Sequence, residues 1–98
     1  MNIKIFQIDQ DADKDEVKFR SLEYALEKGP IKREIYKEVY AGEVDAASLE
    51  DIYFIFNMDH PSDFTGHSLS VSDIVEIVDT GFFYCDRFGF RKVDFCHE

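Results

Sequence analysis

Two tight-turn signals near the C-terminus constrain this chain most. Asp79-Thr80-Gly81 and Phe88-Gly89 divide its last third into three short apolar stretches, 74–78 (IVEIV), 82–87 (FFYCDR) and 90–95 (FRKVDF). Connections this short join antiparallel neighbours, because a parallel return needs a crossover of about a dozen residues or more. Gly81 falls where such a loop calls for positive φ. A C-terminal antiparallel meander is therefore predicted.

Upstream the pattern changes period. Ile3, Ile5, Phe6 and Ile8 mark an opening strand. Asp13 followed three residues on by Glu16 reads as a capping box, with Asp15 and Glu16 in the first turn of a helix. Val17, Leu22, Ala25 and Leu26 form its expected buried face, and Gly29-Pro30 stops it. Residues 33–40 (REIYKEVY) alternate as a strand, with Ile35 and Val39 opposite Tyr36 and Tyr40. Ser48 caps a second helix, 49–57, with Asp51 at the box position and Leu49, Ile52, Tyr53 and Phe56 facing the core. A loop occupies 57–66, and 70–73 turn into the first meander strand. The expected fold is α+β: two helices packed on a mostly antiparallel, curved sheet.

Ninety-eight residues make one domain, 1–98. A chain of this size buries only about 60–65% of its unfolded surface, so its core is small. Ten Phe, five Tyr and 45% hydrophobic residues nonetheless exclude disorder. Lys plus Arg total 11 and Asp plus Glu total 21, a net charge of 11 − 21 = −10. That sign repels nucleic acid and anionic membranes and favours a basic partner. The opening residues MNIKIFQID lack a basic segment leading into an apolar run, and no stretch approaches the ~18 apolar residues of a membrane span. Cys85 and Cys96 lack C-x-x-C spacing. Reduced thiols in a cytoplasmic protein are expected.

The stretch DQDADKDE, 9–16, holds five carboxylates in eight residues. Counted from Asp9, the residues Asp11, Asp13 and Asp15 fall at positions three, five and seven of a calcium loop. Lys14 stands where the loop needs Gly and Arg20 where it needs a bidentate Glu, which argues against calcium. The same carboxylates, Asp9, Asp11, Asp13, Asp15 and Glu16, are candidates for a partner-binding patch, joined by Glu43, Asp45, Glu50 and Asp51. His67, three serines and Asp73 in 67–73 are sequence neighbours without a G-x-S-x-G setting, so turn and cap chemistry is expected there. His60, His67, Cys96 and His97 are the candidate metal donors, with Cys85, Asp59 and Asp63 nearby, but no zinc spacing links them. No cofactor is required on this view; zinc is the alternative.

Four segments carry a family resemblance: G-E-V-D at 42–45, L-E-D-I-Y at 49–53, F-N-x-D-H-P at 56–61 and G-x-S-L-S-V-S-D-I-V at 66–75. With Tyr84, Asp86, Gly89 and Phe90 they make the chain resemble the YodL-like domain family over nearly its whole length. The resemblance supplies no catalytic residue. It implies a small bacterial protein, or a module of the large polyvalent proteins of phages and conjugative elements, which also carry counter-defence modules. Ser68, Ser70, Ser72 and Asp73 match its motif and are expected to order the junction between loop and strand. The expected function is a non-enzymatic, acidic interaction module. Its expected partner is the basic, nucleic-acid-handling surface of a CRISPR or restriction nuclease, with no direct nucleic-acid or membrane contact. Two alternatives are a modulator of a host cytoskeletal or division protein and a zinc-binding regulator or metal-dependent enzyme.

Overall fold

The computed structural model describes residues 1–95. Five strands and two helices follow in the order β1 (Asn2–Ile8), α1 (Leu22–Glu27), β2 (Tyr36–Glu43), α2 (Leu49–Met58), β3 (Ile74–Ile77), β4 (Gly81–Asp86) and β5 (Gly89–Val93). Short 3-10 turns occupy Gln10–Ala12 and Arg33–Ile35. The sheet order is β2-β1-β3-β4-β5, and every neighbouring pair is antiparallel. The fold is α+β, and β3 to β5 form the meander that the turn signals predict.

Successive residues of a strand point to opposite faces, so the register assigns the core to two layers. Ile5 pairs with Val75 on one face, and Phe6 with Ile74, then Tyr84, on the other. Ile52 and Phe56 of α2, with Phe64 and Leu69 from the following loop, cover the first face. Val17, Leu22 and Ala25 from the α1 side, with Phe95, cover the second. Phe56 stacks edge-on against Tyr40 and Phe64, each at 5.0 Å. Phe95 meets Phe6 at 5.2 Å and Tyr36 at 5.0 Å. β1 is flanked by strands and covered on both faces, which is why Ile3, Ile5, Phe6 and Ile8 are all buried.

Three local expectations are corrected. The Asp13 carboxylate does not start a helix. Its two oxygens accept the N–H groups of Val17 and Lys18, each at 2.9 Å, and so close an irregular loop. Glu16 and Phe19 there take φ of 56° and 67°, outside helical space. The helix begins after Ser21, whose Oγ accepts from the Tyr24 N–H at 3.2 Å. That start puts Leu22 and Ala25 on the sheet and leaves Leu26 51% exposed.

Residues 33–35 are a turn rather than strand, with the Arg33 guanidinium 4.9 Å from the ring centres of both Phe6 and Phe95. The strand itself contains a bulge. Ile5 pairs with Tyr40 but Phe6 with Glu38, so Val39 is the extra residue and both Val39 and Tyr40 are buried in the α2 layer. On α2, Ile52 and Phe56 fill the core positions. Tyr53, about 100° further round the helix, is 45% exposed and meets Phe90 edge-on at 6.5 Å.

Candidate functional site

The nine candidate carboxylates form two groups. Residues 9–16 follow the C-terminal end of β1, whereas Glu43 pairs with Asn2 at its other end. At about 3.3 Å per residue, the strand between them spans about 20 Å. The first group is largely tied down. Asp9 accepts from the Asp11 N–H at 3.1 Å, Asp13 holds its loop, and Asp15 pairs with Lys32 at 3.2 Å. Asp11 and Glu16 are exposed, with Lys14 between them and Lys18 just after them in sequence.

The second group surrounds the start of α2. Glu43 lies 3.7 Å from the N-terminal amine. Asp51 completes its cap, receiving the Ala47 N–H at 2.9 Å while its own N–H donates to Ser48 Oγ at 3.1 Å. Asp45 and Glu50 are exposed beside it in sequence. The outward side of α2 then presents Phe54 at 63% and Met58 at 71% exposure, one helical turn apart, next to Tyr53. Large apolar groups and carboxylates thus share one helix face. Sequence reasoning named its acids but not Phe54 or Met58. The available signal was a second apolar pair at i, i+4 on a helix whose core stripe was already filled by Leu49, Ile52 and Phe56.

The serine-rich motif is buried at Ser72 and Asp73, with Ser70 half-buried and Ser68 exposed. Gln7 lies on β1, and its Nε2 donates to Asp73 Oδ2 at 3.0 Å and to the His67 carbonyl at 2.8 Å. Its Oε1 accepts the His67 N–H at 3.1 Å, and the Ser70 N–H donates to Asp73 Oδ2 at 2.8 Å. Ser72 takes φ of 86° in a fully buried position. Its Oγ accepts from the Phe19 N–H at 2.9 Å and its carbonyl from the Tyr36 hydroxyl at 2.7 Å. A Cβ on Gly66 would come within 2.1 Å of Gln7 Oε1, so only glycine admits the Gln7 amide. Burial pushes the Asp73 carboxyl up to about 8, against the lowering effect of the Ser70 and Gln7 hydrogen bonds and of Lys18. These residues link β1, the 13–20 loop, β2 and β3, the ordering role expected of Ser70, Ser72 and Asp73. Ser68 contributes through its carbonyl, which receives the Ser70 hydroxyl at 2.8 Å.

The candidate metal donors do not converge among the described residues, which contain no group of three His, Cys, Asp or Glu placed to hold an ion. His60 is exposed, with Nδ1 3.0 Å from the Pro61 carbonyl and its ring against Phe64. His67 donates from Nδ1 to the Ser68 carbonyl at 2.7 Å, which leaves Nε2 buried without a partner beside Phe19. Cys85 is buried and its thiol is pushed up to about 12, chiefly by burial. Cys96 and His97 lie outside the described residues. Among the described residues, no helix is long and apolar enough to cross a membrane.

A five-stranded antiparallel sheet knitted together by a buried Gln–Asp–Ser motif defines a small α+β domain whose most distinctive polar residues are structural. The family model for the YodL-like domain matches residues 2–95, and the chain belongs to that family. No curated protein and no solved structure matches the chain significantly.

Proposed function

We propose that this YodL-like domain is a non-catalytic interaction module that seats the outward face of α2 on a basic protein surface. The observation that carries this reading is the combination on one helix of exposed Tyr53, Phe54 and Met58 with Glu50 and Asp51. Aromatic groups anchor interfaces, and surrounding charge selects the partner and speeds encounter. The net charge of −10 supports a cationic receptor. In the mobile-element setting that the family resemblance implies, a CRISPR or restriction nuclease with a basic nucleic-acid cleft is the partner class. Blocking that cleft is the counter-defence action.

The test is titration of the purified chain into cleavage reactions of such nucleases, with affinity measured across ionic strength. Inhibition should weaken as salt rises and should be lost in Phe54→Ala. A chain that binds its partner equally well in Phe54→Ala and at high salt would overturn the proposal. A filament-forming partner recovered instead would shift the assignment to a modulator of the cytoskeleton or division machinery.

A further inference from the structure

The two edges of the sheet are not equivalent. At the β2 edge the strand is bulged, and Thr65 covers it by donating both its N–H and its hydroxyl to the Val39 carbonyl, at 3.3 and 3.2 Å. The β5 edge has no strand or loop hydrogen-bonded along it among the described residues. After β5 the chain turns back over the α1 face, where Phe95 packs on Phe6 and Phe82. Residues 87–92 (RFGFRK) contain three cations and no carboxylate, in a chain of net charge −10.

A cleft flanks this hairpin on each face of the sheet. Arg91 pairs with Tyr84 in the ladder and so faces α1, where its guanidinium lies 3.7 Å from the Asp86 carboxylate, stays 64% exposed, and lines a cleft of about 510 Å³ with Asp86, Leu22, Leu26 and Phe88. Phe90 pairs with Cys85 and faces α2, where it lines a second cleft of about 270 Å³ with Tyr53 and Glu50. Phe88, at the turn, is 93% exposed. Protected edges are usually blunted by charge, bulge or cover. Here charge is present, but exposed apolar groups and clefts lie directly beside it.

We propose that β5 is a strand-addition site for an extended acidic segment of a partner protein. Its occupant has two adjacent carboxylates, one opposite Arg91 on the α1 face and one opposite Lys92 on the α2 face, flanked by apolar residues that reach the two clefts. Main-chain pairing supplies affinity, and the alternating faces supply specificity. A second copy of this chain is the wrong occupant, because antiparallel pairing of two β5 strands centred on Arg91 or on Lys92 sets that cation directly against its own copy and leaves the other unpaired. The site shares Tyr53 and Glu50 with the outward face of α2, and its test does not depend on Phe54 or Met58.

The probe is a capped hexapeptide, Val-Ile-Glu-Glu-Leu-Val, titrated into the isotope-labelled full chain while backbone amide shifts are followed. Saturable shifts are expected at residues 89–93 and at the cleft residues. Affinity should fall about tenfold or more in Arg91→Glu/Lys92→Glu, with the fold checked in the same spectra. Lys92→Glu alone serves if the double variant does not fold. Phe54→Ala should bind the peptide as the natural chain does, which separates this site from the α2 proposal. The proposal is overturned by any of four results: no saturable shift at millimolar peptide, shifts centred elsewhere, equal binding of a peptide with Lys in place of Glu, or dimerisation of the free chain through β5.

Discussion

The Gln7 Nε2 donates to Asp73 Oδ2 at 3.0 Å across 66 residues of sequence, with both side chains buried. This bond ties β1 to the start of β3. It also places an ionisable group where its charged form is disfavoured.

Asp73 makes stability depend on pH. Its carboxyl rises from an ordinary 3.8 to about 8 on folding, so the folded chain keeps a proton that the unfolded chain releases. The stabilising contribution of the protonated group is complete below about 4 and is lost as pH rises towards about 8. Asp73→Asn keeps an acceptor for Gln7 and Ser70 and removes the titration. Denaturant midpoints across that window should fall with pH in the natural chain, and the fall should be markedly shallower in the variant.

Gly66→Ala should destabilise by about 1–3 kcal/mol, because the new methyl meets the Gln7 amide and Val39 Cβ. The added Gln7→Ala change removes the main clash. The double variant should therefore cost less than the sum of the single changes, measured as a denaturation cycle.

At Ser72 two effects oppose each other. Ser72→Ala keeps the positive φ and removes the acceptor for the Phe19 N–H, at an expected cost of about 1–3 kcal/mol. Ser72→Gly loses the same bond but relieves left-handed strain of about 1 kcal/mol. Glycine should therefore be the milder replacement in thermal or chemical unfolding.

Neighbouring aromatics on α2 should separate folding from binding. Phe56 is fully buried, and its replacement by Ala should cost about 3–5 kcal/mol of stability. Phe54→Ala should change stability by no more than about 0.5 kcal/mol. If Phe54 anchors the proposed interface, the same change should weaken partner binding by about 2 kcal/mol or more, read by calorimetry.

Cys85 should resist thiol reagents in the folded chain, since it is buried and its thiolate is disfavoured up to about pH 12. A Cys96→Ser variant isolates the readout. Labelling without denaturant at neutral pH would contradict the buried placement.

Helix α2 was legible almost to the residue because its signals are local. Ser48 and Asp51 cap it from within four residues, and Leu49, Ile52 and Phe56 repeat at helical spacing. The meander was legible for the same reason, its turns being built from adjacent residues with Gly81 and Gly89 at positive φ. The start of α1 was not. Asp13 has the chemistry of a helix cap, but its carboxylate closes a loop that the distant Ser72 also holds.

What the sequence determined by itself was the class of fold, the positions of α2 and the hairpins, the sign of the charge and the family. Each depends on short-range periodicity, on turn residues or on a sum over side chains. The tertiary structure decided the split of the carboxylates between the ends of β1, the burial of both Val39 and Tyr40, the exposure of Tyr53 and the raised proton affinity of Asp73. Those properties depend on strand register and on contacts between residues far apart in the chain, where a one-residue bulge or a single buried amide changes which side chains reach water.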